Sequence, residues 1–197
     1  MRVIAGKLKR RKMKAVPGTS TRPTGDKLKE SLFNMIGPYF EGGQCLDLFA
    51  GSGALGIEAL SRGMDKAVFI DRSHQAIRTI KQNITQLQLT EQCEVYRNDA
   101  FRALQILSKK SYSFDLIFLD PPYEKIDYEQ LMMNVVESNL LHSNGVIYVE
   151  HQPSEKINFD QKNFLEVIID VKKVDRASKF KVDDSISGKL SREKHTQ

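Results

Sequence analysis

The sequence predicts an α/β domain: a mostly parallel, doubly wound sheet with helices on both faces and a short basic arm at the N-terminus. Three observations predict it. Short apolar runs alternate with longer amphipathic ones from residue 44 onward, a glycine-rich turn joins the first pair, and acids recur where successive apolar runs end. Such alternation builds βαβ units, because parallel neighbours need a long crossover that a helix supplies.

Taken in order, residues 1–25 mix Gly, Pro, Ser and Thr with basic side chains and predict an arm or small irregular hairpin. The stretch 21–36 predicts a helix capped by Thr24 or Asp26, with Leu28, Leu32, Phe33 and Ile36 on one face. Gly42-Gly43 breaks that pattern. Strands are expected at 44–49, 66–71, 93–98, 114–120 and 146–151, and helices at 54–63, 73–88, 100–109 and 127–141. In the second of these helices Ile77, Ile80, Ile84 and Leu87 recur at helical spacing. A sixth strand, 164–174, is expected antiparallel at the edge, and 175–197 is a charged, weakly patterned tail. The division is thus 1–40, arm and helix, and 41–197, the α/β domain.

A chain of 197 residues, 40% hydrophobic and 28% charged, can bury a sizeable single core. No apolar run approaches the roughly 20 residues that cross a bilayer, and MRVIAGKLKRRKMK lacks the apolar stretch of a secretory signal. Cys45 and Cys93 are too few for a disulfide framework, and His74, His142, His151 and His195 form no ligand-spaced cluster. The expectation is a cytoplasmic monomer with no metal and no membrane partner. Charge is unevenly spread. Residues 1–30 hold ten Lys/Arg against Asp26 and Glu30, a net of +8 where the whole chain carries +5, so the remainder is net negative. A basic end on a nucleotide-type domain points to nucleic-acid phosphates, although a charge run alone is as often a solvated tail.

DLFAGSGALGIEAL (47–60) falls at a strand–helix junction. Gly51, Gly53 and Gly56 satisfy G-x-G-x-x-G, which lets backbone approach a nucleotide-like ligand without naming it. Asp47 narrows the choice. A pyrophosphate prefers bare N–H groups, whereas a carboxylate under the loop suits the ammonium of an amino-acid moiety, as in S-adenosylmethionine. Asp71, Asp99 and Asp120 end the next three apolar runs and share one crevice in a doubly wound sheet. Asp71 is placed for ribose hydroxyls, and Asp99, followed by Ala100, for an adenine amine. Each acid alone can also be read as a helix cap.

FDLIFLDPPYE (114–124) is the most specific segment. Two prolines stiffen the turn, so that Asp120 and the Pro121 carbonyl can accept both hydrogens of a planar –NH₂ group. Pro122 completes the support, and Tyr123 can stack on a flipped base.

With these residues in view, the chain resembles the RsmD family of 16S rRNA (guanine-N2)-methyltransferases. The resemblance is carried by MRVIAGKLKRRKM, TRPTGDKLKESLFNMI, CLDLFAGSGALGIEALSRG and LDPPY, in the family's order and over most of 1–150. It implies a seven-stranded, Rossmann-like class I methyltransferase fold and S-adenosylmethionine as donor, with S-adenosylhomocysteine as product. It implies 16S rRNA, in an assembling 30S particle, as substrate. By position, Asp47, Gly51 and Gly53 would hold the cofactor's amino-acid part, Asp71 its ribose and Asp99, with Ala100 nearby, its adenine; Phe49, Ala50, Ser52 and Arg72 would also line the cofactor site. Asp120, Pro121, Pro122 and Tyr123 would hold the guanine. Lys7, Lys9, Arg10, Arg11, Lys12, Arg22, Thr24 and Lys27 would meet the RNA. The chain departs from the family at its end, where ASKFKVDDSISGKLSREKHTQ offers only scattered apolar residues, leaving the seventh strand degenerate, displaced or missing. Two alternatives stay open: an N6-adenine or other amino-group methyltransferase, and an NAD-type oxidoreductase. The latter's fingerprint also follows its glycine loop with a later acid, here Gly51 and then Asp71.

Overall fold

The computed structural model describes residues 1–18, 25–121, 127–151, 164–169 and 176–182. Five helices, α1 (Asp26–Ile36), α2 (Ala54–Ser61), α3 (His74–Gln86), α4 (Ala100–Lys109) and α5 (Tyr128–Glu137), flank seven strands. These are β1 (Gln44–Asp47), β2 (Lys66–Asp71), β3 (Cys93–Arg97), β4 (Phe114–Leu119), β5 (Leu141–His151), β6 (Phe164–Ile169) and β7 (Arg176–Val182). They form one sheet in the order β3-β2-β1-β4-β5-β7-β6. Strands β1 to β5 pair in parallel, and β7 runs antiparallel to both β5 and β6. This is the Rossmann-like arrangement that the resemblance implies, with the strand order reversing between β1 and β4.

Alternation along the strands divides the core into two layers. Cys45, Ala67, Phe69, Leu116, Phe118 and Tyr148 face one side and pack with α1, α2 and α3. Leu46, Val68, Ile70, Ile117, Leu119 and Ile147 face the other and pack with α4 and α5. Both faces are therefore dry, which explains why these strands read as continuous apolar runs. Ile77, Ile80, Ile84 and Leu87 are all buried, as their spacing predicts.

Several elements differ from the sequence expectation. Helix α1 starts at Asp26 with Gly25 before it and no side-chain cap, and the Asp26 carboxylate instead accepts from Arg2 Nε at 2.7 Å. Thr24 and Arg22 lie outside the described residues. Helix α5 stops at Glu137 rather than 141, because Asn139 turns to φ 51°, a left-handed conformation that Asn tolerates. Strand β5 then begins early, at Leu141, through a register shift between Phe114 and Leu116 on β4. The seventh strand is present. It hides in the weakly patterned tail because a strand bonded on both sides is ordered by two backbone ladders and does not depend on a dense apolar pattern. Residues 164–169 are antiparallel at the sheet edge as expected.

The basic N-terminus is a folded hairpin. Arg2 bridges Lys12, and Val3 N donates to Arg11 O, Arg10 N to Val3 O and Met13 N to Met1 O. Val3 and Met13 enter the core with α1, so one apolar layer joins the hairpin, α1 and the sheet.

Candidate active site

Ligands of an open α/β sheet bind outside the carboxyl ends of the strands, where strand order reverses. Here that point lies between β1 and β4. Asp47 ends β1 and pairs in register with Phe118, so Asp120 stands two positions further along the chain, roughly 7 Å on. Asp71 ends β2 opposite Arg97, and Asp99 follows shortly after Arg97. The four predicted acids thus stand at the carboxyl ends of four neighbouring strands.

The loop between β1 and α2 is fixed by backbone and acid together. Ala50 N donates to Ile70 O (2.9 Å) and Leu48 N to Phe118 O (3.2 Å), tying it to both flanking strands. Asp47, only 2% exposed, accepts from Gly56 N at 3.1 Å. Burial raises its carboxyl to about 7, partly countered by the Gly56 N–H, with nearby Asp71 adding to the rise. Among the described residues no cation pairs with it. Gly51 is left-handed (φ 53°), and a side chain added there would meet no protein atom within 4 Å, so the loop's outer surface is open space. Gly56 serves the opposite purpose: an added Cβ would fall 2.4 Å from the Phe69 ring, so only glycine lets α2 lie on β2.

Asp71 has a structural task as well as the one the sequence assigns. Its Oδ2 accepts from Gly51 N and its Oδ1 from Ser73 N, both at 2.8 Å. Each oxygen keeps a second lone pair, so a ligand's hydroxyls can still be accepted. Asp99 is the N-cap of α4, accepting from Arg102 N at 3.2 Å, and is exposed. Ala100 is buried beneath it, while Phe49 is half-buried against the second core layer. Ala50 and Gly53 are buried, Ser52 is half-buried and Arg72 exposed. Asp120 is half-buried and Pro121 buried, just past the carboxyl end of β4. Pro122 and Tyr123 lie outside the described residues. The residues present fit a ligand bearing an ammonium, vicinal hydroxyls and a purine.

Beside this crevice lies a second cluster that the sequence reading missed. Glu58, fully buried on α2, accepts four hydrogen bonds. One oxygen takes Ile4 N at 2.8 Å and Lys29 Nζ at 3.3 Å; the other takes Ala5 N and Arg62 Nε, both at 2.9 Å. Burial pulls the Lys29 ammonium below its ordinary value while Glu58 pushes it back up. Arg62 also lies 4.7 Å from the centroid of the Phe33 ring. Ser61 Oγ accepts from Leu8 N (3.0 Å). Buried Asn83 accepts from Lys14 N at 2.8 Å and donates to Lys14 O (3.0 Å) and Ser52 O (2.9 Å), linking the hairpin to the glycine loop. A signal was available. Glu58 and Arg62 are spaced i,i+4 on a helix with no polar face, and Asn83 interrupts an apolar stripe.

Of the predicted RNA-facing residues, Lys7, Lys9, Arg10, Arg11 and Lys12 belong to the hairpin. Lys9, Arg10, Arg11 and Lys12 are exposed together, as is Lys27 on α1. Lys7 Nζ donates to Gln92 Oε1 at 3.2 Å and Arg11 Nη2 to Gln86 O at 3.5 Å. Burial pushes both thiols up, Cys93 to about 12, which leaves neither as a nucleophile at neutral pH. Among the described residues no three His, Cys, Asp or Glu side chains converge as metal ligands, and no helix is long and apolar enough to cross a membrane.

Comparison with known proteins adds a family. The model described as Conserved hypothetical protein 95 matches residues 1–177. The chain is 56% identical over 151 residues to Bacillus subtilis YlbH, covering 77% of this chain and 82% of that one. It is 38% identical over 158 residues to the Haemophilus influenzae protein named Ribosomal RNA small subunit methyltransferase D, covering 80% and 81%. Among solved structures, Escherichia coli yhhF superposes with a TM-score of 0.80 at 27% identity, covering 93% of this chain and 98% of that one.

Proposed function

This chain belongs to the RsmD methyltransferase family, and from that premise we propose that it methylates the exocyclic N2 amine of a guanine in 16S rRNA. The donor is S-adenosylmethionine, the product S-adenosylhomocysteine, and the acceptor is carried by an assembling 30S particle in the cytoplasm, met by a monomeric enzyme. One observation carries the reading: the β4 end bearing Asp120 and Pro121 neighbours the β1 end bearing Asp47 and the glycine loop. A methyl donor held by one and an amine held by the other would share the crevice. Membership of a methyltransferase family leaves the dinucleotide alternative without support.

When bound, S-adenosylmethionine supplies an electrophilic methyl carbon on a sulfonium. Asp47 and the Gly51–Gly53 turn would receive its amino-acid end, Asp71 its ribose and Asp99 its adenine, with Arg72 and Ala100 beside them. Asp120 Oδ and the Pro121 carbonyl accept the two amine hydrogens, favouring a pyramidal nitrogen whose lone pair is free to attack. Pro122 and Tyr123, outside the described residues, would help hold the guanine. Alignment and fixed acceptors carry most of the acceleration. The nitrogen becomes strongly acidic as it is alkylated, so its proton passes to Asp120 or water without a tuned base. The hairpin's Lys7, Lys9, Arg10, Arg11 and Lys12, with Arg22, Thr24 and Lys27, engage RNA phosphates as residues 1–40 dock.

The test is tritiated methyl transfer to small-subunit particles from cells lacking the enzyme, followed by nucleoside analysis. N2-methylguanosine is expected, and labelled N6-methyladenosine would replace the base assignment. Asp120→Ala should slow transfer about 100- to 1,000-fold while S-adenosylmethionine binds within a few-fold of normal. Retained activity would remove Asp120 from the reaction.

A further inference from the structure

Helix α3 carries a basic surface that the proposed function leaves without a role. Its exposed face, with Lys14, borders an open groove of about 630 Å³ lined by His74, Arg78, Lys81, Gln82 and Gln86 among others. Helix α3 contains no acid. Among the described residues no ion pair engages Lys14, Arg78 or Lys81. Unpaired like charges along one groove repel one another, and such a field draws a polyanion.

The groove is continuous with both functional regions. At one end Gln86 Nε2 donates to Lys12 O (3.1 Å), Arg11 reaches Gln86 O, and Lys14 Nζ donates to Gln82 Oε1 (3.2 Å), so hairpin and groove meet. At the other end α3 is capped by Ser73, whose N–H donates to Asp71 in the crevice. Thirteen residues of helix span about 20 Å, a length that several nucleotides of single strand can follow. Amide and hydroxyl side chains (Gln82, Gln86, Thr85) between the charges suit sugar and phosphate oxygens.

Resting on the RNA-methyltransferase reading, we infer that this groove is a second phosphodiester-binding track, leading substrate RNA from the hairpin along α3 to the crevice mouth. Lys14, Arg78 and Lys81 are its phosphate contacts. The readout is shape and charge, not base identity.

The test uses the triple variant Lys14→Gln, Arg78→Gln, Lys81→Gln, whose exposed side chains leave the core untouched. Methyl transfer to small-subunit particles should show KM raised about tenfold or more, since sequence-independent phosphate contacts dominate affinity, with kcat and S-adenosylmethionine affinity unchanged. Filter binding to protein-free 16S rRNA should show a salt slope shallower by about 2, at roughly 0.7 per lost contact. Unchanged KM and slope would overturn the inference. Weakened binding to particles with normal binding to protein-free rRNA would also overturn it, by assigning the groove to an acidic ribosomal protein. Failure of the wild-type enzyme to methylate particles would sink the functional reading instead, while filter binding would still decide the groove.

Discussion

Asp47 and Glu58 are both buried carboxylates that touch helix α2, and their surroundings are opposite. Glu58 is closed: two cationic side chains and two backbone N–H groups fill its oxygens. Asp47 is open: one backbone N–H, no cation among the described residues, and a carboxyl raised to about 7. A buried charge whose partners all come from the chain serves the fold, because the compensation is permanent. A buried charge left uncompensated costs stability and persists where a ligand brings the missing cation. The difference separates a structural acid from the one proposed to meet the cofactor, within one strand–loop–helix segment.

The largest expected effect breaks the closed side. Glu58→Ala leaves Lys29 and Arg62 buried without a counter-charge and should cost about 3–5 kcal/mol, read by urea unfolding. A loss below about 1 kcal/mol would mean the cluster is not holding the hairpin. Next, Asp47→Asn keeps an acceptor for Gly56 N and removes the charge. Affinity for S-adenosylmethionine should fall about tenfold to a hundredfold, the worth of a hydrogen bond to a charged group, measured by calorimetry. Stability without ligand at mildly alkaline pH should not fall, and a clear drop there would contradict the contrast.

The smallest effect is the pH dependence. The folded carboxyl of Asp47 titrates above its unfolded value of 3.8, so the native state holds more protons between about 4 and 7. Its contribution is therefore most favourable below the unfolded value and is lost as pH rises through the folded one. Unfolding free energy of the Asp47→Asn variant should accordingly decline less over that interval than that of the wild type. Parallel curves would show that Asp47 does not titrate as its burial implies.

The layered sheet was legible because both faces are buried and the strands are apolar from end to end. The four acids were legible because strand ends in a parallel sheet converge, so position along the chain became position in space. Glu58, Lys29 and Asn83 were not. Most of their partners are distant in the chain or are backbone atoms, and charge counting treats a buried lysine like a solvated one. Arg2, counted as part of the positive arm, spends its charge on Asp26. The Asp99 cap and the Asp71 bridges leave acceptor lone pairs on each carboxylate, so a cap reading does not exclude the proposed site reading. Strand β7 escaped because its order comes from neighbours on both sides.

That last strand has a consequence for synthesis. β7 follows β6 in the chain yet lies between β5 and β6. Its first residue, Arg176, is made long after Asp120. At about 5–20 residues per second, the strand ends that form the crevice leave the ribosome seconds before the sheet can seal. During that interval β5 offers a bare row of backbone donors and acceptors, the kind of rim on which chains join one another. A chain halted before residue 176 would carry a finished crevice on an adhesive border.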